Sequence, residues 1–272
     1  MLDRGYLIPA DNTKDVDYIN CARALARSIR IHTPFAKISI LTSDPSLVHN
    51  KGNLFDSVIA FPFGDQCPDS TWKLKNDWQV FYASPYRQTI KLEADMIIPH
   101  SIEHWFDMFQ KRDVVVTTGA RNYLNEKSNV RYYRKLFDEN NLPDVYNAIT
   151  YWRRSTTAQQ FFDTVRTIFD NWDTVKTTIK GGDKDPGSTD VVYAIAAKII
   201  GIDKVTLPDT TYPTLIHMKG KINYLAKEDW TKELVYELDK ANVRVNTVDQ
   251  MYPWHYCIKD FGTVLNKYYD TL

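Results

Sequence analysis

Cysteine is scarce in this chain: Cys21, Cys67 and Cys257 are the only three in 272 residues. An odd number without a C-x-x-C pair supports neither a disulfide framework nor a zinc knuckle, and it fits thiols in a reducing cytosol. Net charge is also missing, since 34 Lys and Arg offset 34 Asp and Glu. A protein that coats nucleic acid is usually basic, so the balance argues against a stoichiometric DNA-coating role. It leaves room for an enzyme that visits DNA through a local basic face. No apolar run reaches the ~18 residues that span a bilayer. The start, Met1-Leu2-Asp3-Arg4-Gly5, lacks a charged region followed by an apolar one, so no signal peptide is expected. Together these absences predict a soluble, cytoplasmic protein without a membrane partner. Internal repeats, low-complexity tracts and long linkers are absent too.

What is present is an ordinary globular composition, 43% hydrophobic and 25% charged, enough for one sizeable core. Strand and helix patterns alternate. Tyr6-Leu7-Ile8 is a short apolar run. Ile19, Ala22, Leu25, Ala26 and Ile29 then recur at helical spacing, which predicts a helix over Asp15 to Ile31. Lys37 to Thr42 and Ser57 to Phe61 read as the next strands. This β-α-β-β opening predicts an α/β fold with a mixed, mostly parallel central sheet. Further along, the pattern predicts a helix over Thr71 to Ala83, ended by Ser84-Pro85, and a strand over Gln88 to Leu92. A helix over Ile102 to Phe109 and strands over Val114 to Thr117 and Tyr146 to Trp152 come next. An amphipathic helix spans Ala158 to Trp172, and a buried one spans Val191 to Ile200. Thr214 to His217 reads as a last short strand. The tail after Glu228 is expected to be helical and then irregular, with many aromatics.

The chemistry centres on Glu93-Ala94-Asp95. Two carboxylates two residues apart in extended chain point the same way and can hold a divalent cation through oxygen. The same spacing recurs at Asp15/Asp17, Asp183/Asp185 and Glu237/Asp239, which read as solvated surface charges. Glu93/Asp95 differs because apolar residues on both sides place it at a nearly buried strand end, where like charges need a compensating cation or basic group. In an open α/β sheet that end is where ligands bind. His217 ends an apolar strand. It reads either as a hydrogen-bonded core histidine or as the imidazole that completes a manganese-type site. Lys219, Gly220 and Lys221 follow it and suit a phosphate environment or a solvated loop.

Several stretches resemble the glycogenin-like (family 8) glycosyltransferases of GT-A fold, and more closely a group of phage-encoded glycosyltransferases. They are Ser70-Thr71-Trp72-Lys73, Trp78, Ala83-Ser84-Pro85-Tyr86, Glu93-Ala94-Asp95, Asn140-Asn141-Leu142-Pro143, Ser188-Thr189-Asp190 and Thr214 to Lys219. The resemblance covers the chain up to about Lys221 and leaves out the aromatic tail. It implies a single GT-A-type, Rossmann-like domain: a nucleotide-binding half over 1–100, a sugar and acceptor half over 101–225, and a tail over 226–272. It implies that Glu93 and Asp95 match an Asp-x-Asp metal motif, with Glu in the first place, and that His217 matches a late metal-binding histidine. Gly220 matches a His-x-x-Gly pattern whose later lysine is Asn223 here, so Lys219 or Lys221 would contact the diphosphate. Ala10, Asp11 and Asn12 would meet the base and ribose, and Lys73 or Lys75 a phosphate. Asn147 and Asp190 would contact the transferred sugar. On the residues alone, Asn147 also reads as a backbone-satisfying side chain and Asp190 as a helix N-cap.

The resemblance further implies a UDP-linked donor, Mn2+ or Mg2+, and a retaining transfer by a monomer or weak oligomer. The phage enzymes it points to include those that place glucose or arabinose on 5-hydroxymethylcytosine in DNA. Arg112, Arg121, Lys127, Arg131, Arg134 and Lys135, interleaved with Tyr123, Tyr132 and Tyr133, form a basic stretch. It reads either as a DNA-facing surface with stacking rings or as an exposed helix face. Protein, glycan or lipid acceptors stay open, with Trp230, Tyr252, Trp254 and Tyr256 as sugar-stacking rings. So does a non-catalytic nucleotide-sugar-binding protein.

Overall fold

The computed structural model describes residues 2–49, 51–68, 73–127, 134–208, 214–218 and 229–272. Among the described residues, twelve strands run in chain order: β1 (Leu2–Pro9), β2 (Ile38–Thr42), β3 (Ser57–Ala60), β4 (Tyr86–Leu92), β5 (Met96–Ile97), β6 (Val114–Thr118), β7 (Val145–Arg153), β8 (Ile216–His217), β9 (Tyr236–Asp239), β10 (Asn242–Val245), β11 (Val248–Asp249) and β12 (Trp254–His255). Six of them form the main sheet in the order β3-β2-β1-β4-β7-β6. The β3, β2, β1 and β4 strands are mutually parallel, and β7 runs antiparallel to both β4 and β6. The mixed, mostly parallel α/β sheet expected from the sequence is therefore present.

The helix Tyr18–His32 covers one face. Asp17 starts it by accepting a hydrogen bond from Asn20 N at 2.9 Å, which satisfies one of the orphan amides of the first turn. Its Ala22, Leu25, Ala26 and Ile29 pack with Ile8, Ile38, Ile40 and Ile90. The helices Thr156–Asp170 and Thr189–Ile200 cover the other face, where Phe161, Phe162, Val165, Val192 and Tyr193 meet Leu7, Leu41 and Trp152. Strands buried on both faces read as continuous apolar runs, which is why β2, β6 and β7 were visible as such. Before β4 the chain differs from the long helix expected over Thr71 to Ala83. Residues 71 and 72 lie outside the described residues, and the rest divides into a 3-10 turn, Leu74–Gln79, and one helical turn, Val80–Ala83. No helix among the described residues is long and apolar enough to cross a membrane.

The tail corrects the expectation of a helical and then irregular end. After a single helical turn, Trp230–Glu233, it forms an antiparallel sheet, β11-β10-β9, then β12, then the helix Phe261–Tyr269. Alternating residues in β10 put Val243 and Val245 inside and Arg244 outside, a period of two that helical spacing does not give. β12 lies between β5 and β8, antiparallel to the first and parallel to the second. Trp230, Trp254 and Phe261 pack edge to face beneath it. Trp230 Nε1 donates to Tyr256 O at 2.7 Å, and Tyr256 N donates to Asp95 O at 3.1 Å. The last helix rests on Tyr18–His32. Gly262 permits the approach, because a Cβ there would stand 3.0 Å from Cys21 Sγ.

Candidate functional site

The carboxyl ends of β1 and β4 open into a cleft of about 500 Å³, the place where parallel α/β sheets bind ligands. Pro9, which ends β1, and Asp11 beyond it line the cleft, as do Glu93, Ala94 and Asp95 after β4. Asp95 is 3% exposed. His255 Nε2 lies 2.9 Å from its Oδ2, and Lys259 Nζ makes a close ion pair with the same oxygen. Glu93 is half-buried, with Oε2 3.4 Å from the same His255 nitrogen. Burial acts to raise the Asp95 carboxyl, but His255 and then Lys259 outweigh it and hold it well below the ordinary range. Burial acts to lower His255, but Asp95 and then Cys257 outweigh it and push the imidazole well above its ordinary value. Lys259 is raised in the same way, with burial opposing and Asp95 prevailing.

Glu93, Asp95 and His255 bring two carboxylate oxygens and an imidazole nitrogen within 4.8 Å of one another. Hard oxygens with one borderline nitrogen fit Mn2+ or Mg2+, and these three residues would hold such an ion. On charge, Asp95 is kept anionic and its oxygen already faces a cation, the ammonium of Lys259, while His255, raised beside Asp95, would give up its proton to offer Nε2 to an ion. His217, the histidine picked out in the sequence, stands beside this set. It is in register with His255 across the β8–β12 pair, and their rings are perpendicular with centroids 4.9 Å apart. It groups with His255 and Cys257, again within 4.8 Å. Cys257 has a left-handed backbone, φ 64°, unusual for a residue with a side chain.

The other expected residues divide. Asp11 lines the cleft, and its Oδ1 accepts from Ser43 N at 2.6 Å; Ala10 is buried behind it. Asn12 turns away and accepts from Ile19 N at 2.9 Å, holding the chain at the helix start. Lys73 lines the cleft with its ammonium on Asp65, at 2.6 Å, and on the carbonyls of Cys67 and Pro68. Lys75 faces a separate depression with Asp173 and Lys176. Asn147 is 0% exposed. Its amide donates to Asp77 Oδ2 at 3.0 Å, and its backbone N donates to Asp190 Oδ1 at 2.7 Å. Asp190 also pairs with Arg134 at 3.1 Å. Lys219, Gly220 and Lys221 lie outside the described residues.

The basic stretch loses two of its members as surface groups. Arg134 is 3% exposed, stacked between Phe137 and Tyr146 and paired with Asp144 and Asp190. Tyr123 is buried in the tail's core. Arg134 is thus not free to follow a phosphate backbone, nor Tyr123 to stack a flipped base, because each is committed to internal packing. Arg131, Tyr132 and Tyr133 lie outside the described residues.

Sequence reasoning missed His255, Cys257 and Lys259. A signal existed: Trp254-His255 ends a short apolar run as Ile216-His217 does, and the two histidines prove to be cross-strand partners. It also missed Lys91, a charge inside the apolar run Ile90-Lys91-Leu92, and its partner Asp77. The pair stands 3.1 Å apart in the same cleft.

No protein-family model and no curated protein sequence matches the chain. Solved structures do. The galactosyltransferase LgtC, solved in complex with donor and acceptor sugar analogs, matches over 98% of this chain and 96% of its own, at 9% identity and TM-score 0.54. The glycosyltransferase GlyE of Streptococcus pneumoniae TIGR4 matches 77% of this chain at 11% identity and TM-score 0.47. Mouse xyloside xylosyltransferase 1 matches 76% of this chain and 85% of its own, at 12% identity and TM-score 0.45. The chain spans about half of the GlyE structure's length, 46%. At these identities the likeness is one of architecture, and the chain has the α/β fold of GT-A type that LgtC has.

Proposed function

We propose that this chain is a metal-dependent glycosyltransferase that moves a sugar from a UDP-linked donor to an acceptor hydroxyl with retention of configuration. One observation carries the reading. In a fold shared with LgtC along almost the whole chain, the end of β4 presents an anionic Asp95 with Glu93 and His255 in a cleft at the sheet's carboxyl edge. A divalent ion held by Glu93, Asp95 and His255 would offset charge on the departing diphosphate. Asp11, after β1, suits the nucleoside. Lys259, whose ammonium faces the ion set, suits the diphosphate once it lets go of Asp95. Asn147 and Asp190 act on the sugar through the groups they hold. Retention follows a front-face course, in which the leaving diphosphate takes the acceptor proton.

The acceptor we propose is the hydroxymethyl group of 5-hydroxymethylcytosine in phage DNA, with glucose or arabinose as the transferred sugar. Its support is the resemblance to phage enzymes together with Arg112, Arg121, Lys127 and Lys135. Electrostatic contact with a DNA backbone weakens steeply with salt.

The test is UDP release from a panel of UDP-sugars with Mn2+, with and without hydroxymethylated DNA, for the native chain and Asp95→Ala. Release that needs the metal and Asp95, and rises with the DNA, is the expected result. Metal-dependent release that ignores the DNA moves the acceptor to proteins, glycans or lipids. UDP binding without release from any donor overturns catalysis in favour of a nucleotide-sugar-binding protein.

A further inference from the structure

The cleft holds a second charged pair that the metal set does not use. Lys91 lies within β4, two residues before Glu93, with its side chain 2% exposed; the Asp77 side chain is 11% exposed. Both line the cleft. Lys91 Nζ donates to Asn147 O at 2.9 Å and stands 3.1 Å from Asp77 Oδ1. Asp77 Oδ2 accepts from Asn147 Nδ2 at 3.0 Å and closely from the Tyr193 hydroxyl. Burial, and then Asp77, push the Tyr193 phenol well above its ordinary value, so it stays a donor.

Counting donors and acceptors defines what the corner lacks. An ammonium has three N–H donors; Lys91 hydrogen-bonds Asn147 O and forms an ion pair with Asp77 Oδ1, which leaves at least one donor without a hydrogen-bond partner among the described residues. A carboxylate offers about four lone-pair positions; on Asp77 two are taken at Oδ2 by Asn147 and Tyr193, and Oδ1 faces the Lys91 ammonium. At least one acceptor position on Asp77 and one donor on Lys91 therefore remain at the cleft wall that both residues line. A phosphate does not suit the corner, because the Asp77 carboxylate repels it. An apolar group does not either, because it would strand both charges. Two neighbouring hydroxyls suit it, since each can both donate and accept. With two donors on Oδ2 and the Lys91 ammonium beside Oδ1, Asp77 is also poorly placed to serve as a nucleophile, which agrees with a front-face transfer.

We infer that Asp77 and Lys91 are specificity-determining residues that read two adjacent free hydroxyls on the donor sugar, Asp77 accepting from one and Lys91 donating to the other. The inference rests on the transferase reading above. It narrows the donor to sugars that keep both hydroxyls, and against those lacking one the discrimination is large, because the buried pair is then left short of a partner.

Titration calorimetry with Mn2+ tests it, using UDP, a panel of UDP-sugars and their monodeoxy analogues. The native chain is expected to bind at least one UDP-sugar about tenfold or more tighter than UDP. Removing either of two neighbouring hydroxyls should return that donor to the UDP level. Asp77→Asn and Lys91→Met should lose the sugar increment while binding UDP within about twofold of the native chain. Tyr193→Phe, which keeps the charges and removes one donor to Asp77, should lose part of the increment; it decides the matter if the charge variants do not fold. Native chain that binds UDP but no UDP-sugar more tightly overturns the inference alone. So does an increment that survives in all variants that fold. Failure of the native chain to bind UDP overturns the transferase reading as well.

Discussion

Two carboxylates face one cleft, each with a lysine beside it, and the lysines have different origins. Asp95 takes His255 and Lys259 from the tail. Asp77 takes Lys91, Asn147 and Tyr193 from the main sheet and the helix laid on it. The lysine at Asp95 keeps 29% of its side chain exposed, and the one at Asp77 keeps 2%. The first pair joins the tail to the end of β4 and is partly exposed at the cleft, whereas the second is part of the sheet's interior. A cation site needs a partner that can be exchanged, and a reader of neutral hydroxyls needs partners that stay.

Four changes would break or sharpen that contrast. The largest effect belongs to Lys91→Met, which strands Asp77 near the core. It should cost about 3–5 kcal/mol of stability, read as a lower urea midpoint at unchanged slope, and a loss under about 1 kcal/mol would remove the idea of a built-in pair. Asp95→Ala comes next. Metal-stimulated UDP release should fall by about 100-fold or more, with the nucleoside diphosphate still bound; activity within about threefold of native would end the metal assignment.

Gly262→Val is smaller and separates the two corners. Its side chain would press on Cys21 and on the Tyr256 hydroxyl, 3.2 Å from a Cβ, at a cost of about 1–3 kcal/mol. It should weaken Mn2+ binding, by displacing His255 and Lys259, and leave the sugar increment of the Asp77 corner in place. Equal losses at both corners would contradict separate origins.

The smallest effect is on pH dependence in metal-free protein. The carboxyl of Asp95 is depressed in the fold, so its stabilisation is present above the unfolded value of about 4 and is lost as pH falls through the folded one. His255 is raised, so its stabilisation is full below about 6.5 and fades as pH rises toward the folded value. The difference in urea midpoint between native and His255→Gln should therefore be greatest between about pH 4 and 6.5 and shrink above it. A difference that stays constant to pH 9 would show that the imidazole carries no charge there.

The main sheet was legible because its strands are buried on both faces and bounded by turns: Ile38–Thr42 and Val114–Thr118 have nothing else to be. Glu93 and Asp95 were legible for a related reason, since charge at the end of an apolar run needs an explanation. Lys91 carried the same signal and was read only as a strand residue, because one lysine, unlike an acidic pair, has no spacing to recognise. The tail was illegible in its shape. Its aromatics, Trp230, Trp254, Tyr256 and Phe261, pack against one another rather than at regular intervals, so periodicity has little to act on. The partnership of His255 with Asp95 spans 160 residues, and nothing local encodes it. Arg134 and Tyr123 looked like surface groups because composition counts charges and rings without showing what covers them.

The place of β12 between β5 and β8 sets an order of events. Asp95 leaves the ribosome 160 residues before His255, and Glu93 earlier still, so during synthesis the acidic pair stands at the end of β4 with neither imidazole nor ammonium to meet it. A contact so distant along the chain is also among the slowest to form. The main sheet and its Asp77 corner are complete in sequence by Tyr193, whereas the cation corner waits for Lys259. On the proposed function, a growing chain would thus acquire a means of reading a sugar before it acquires the means of releasing one.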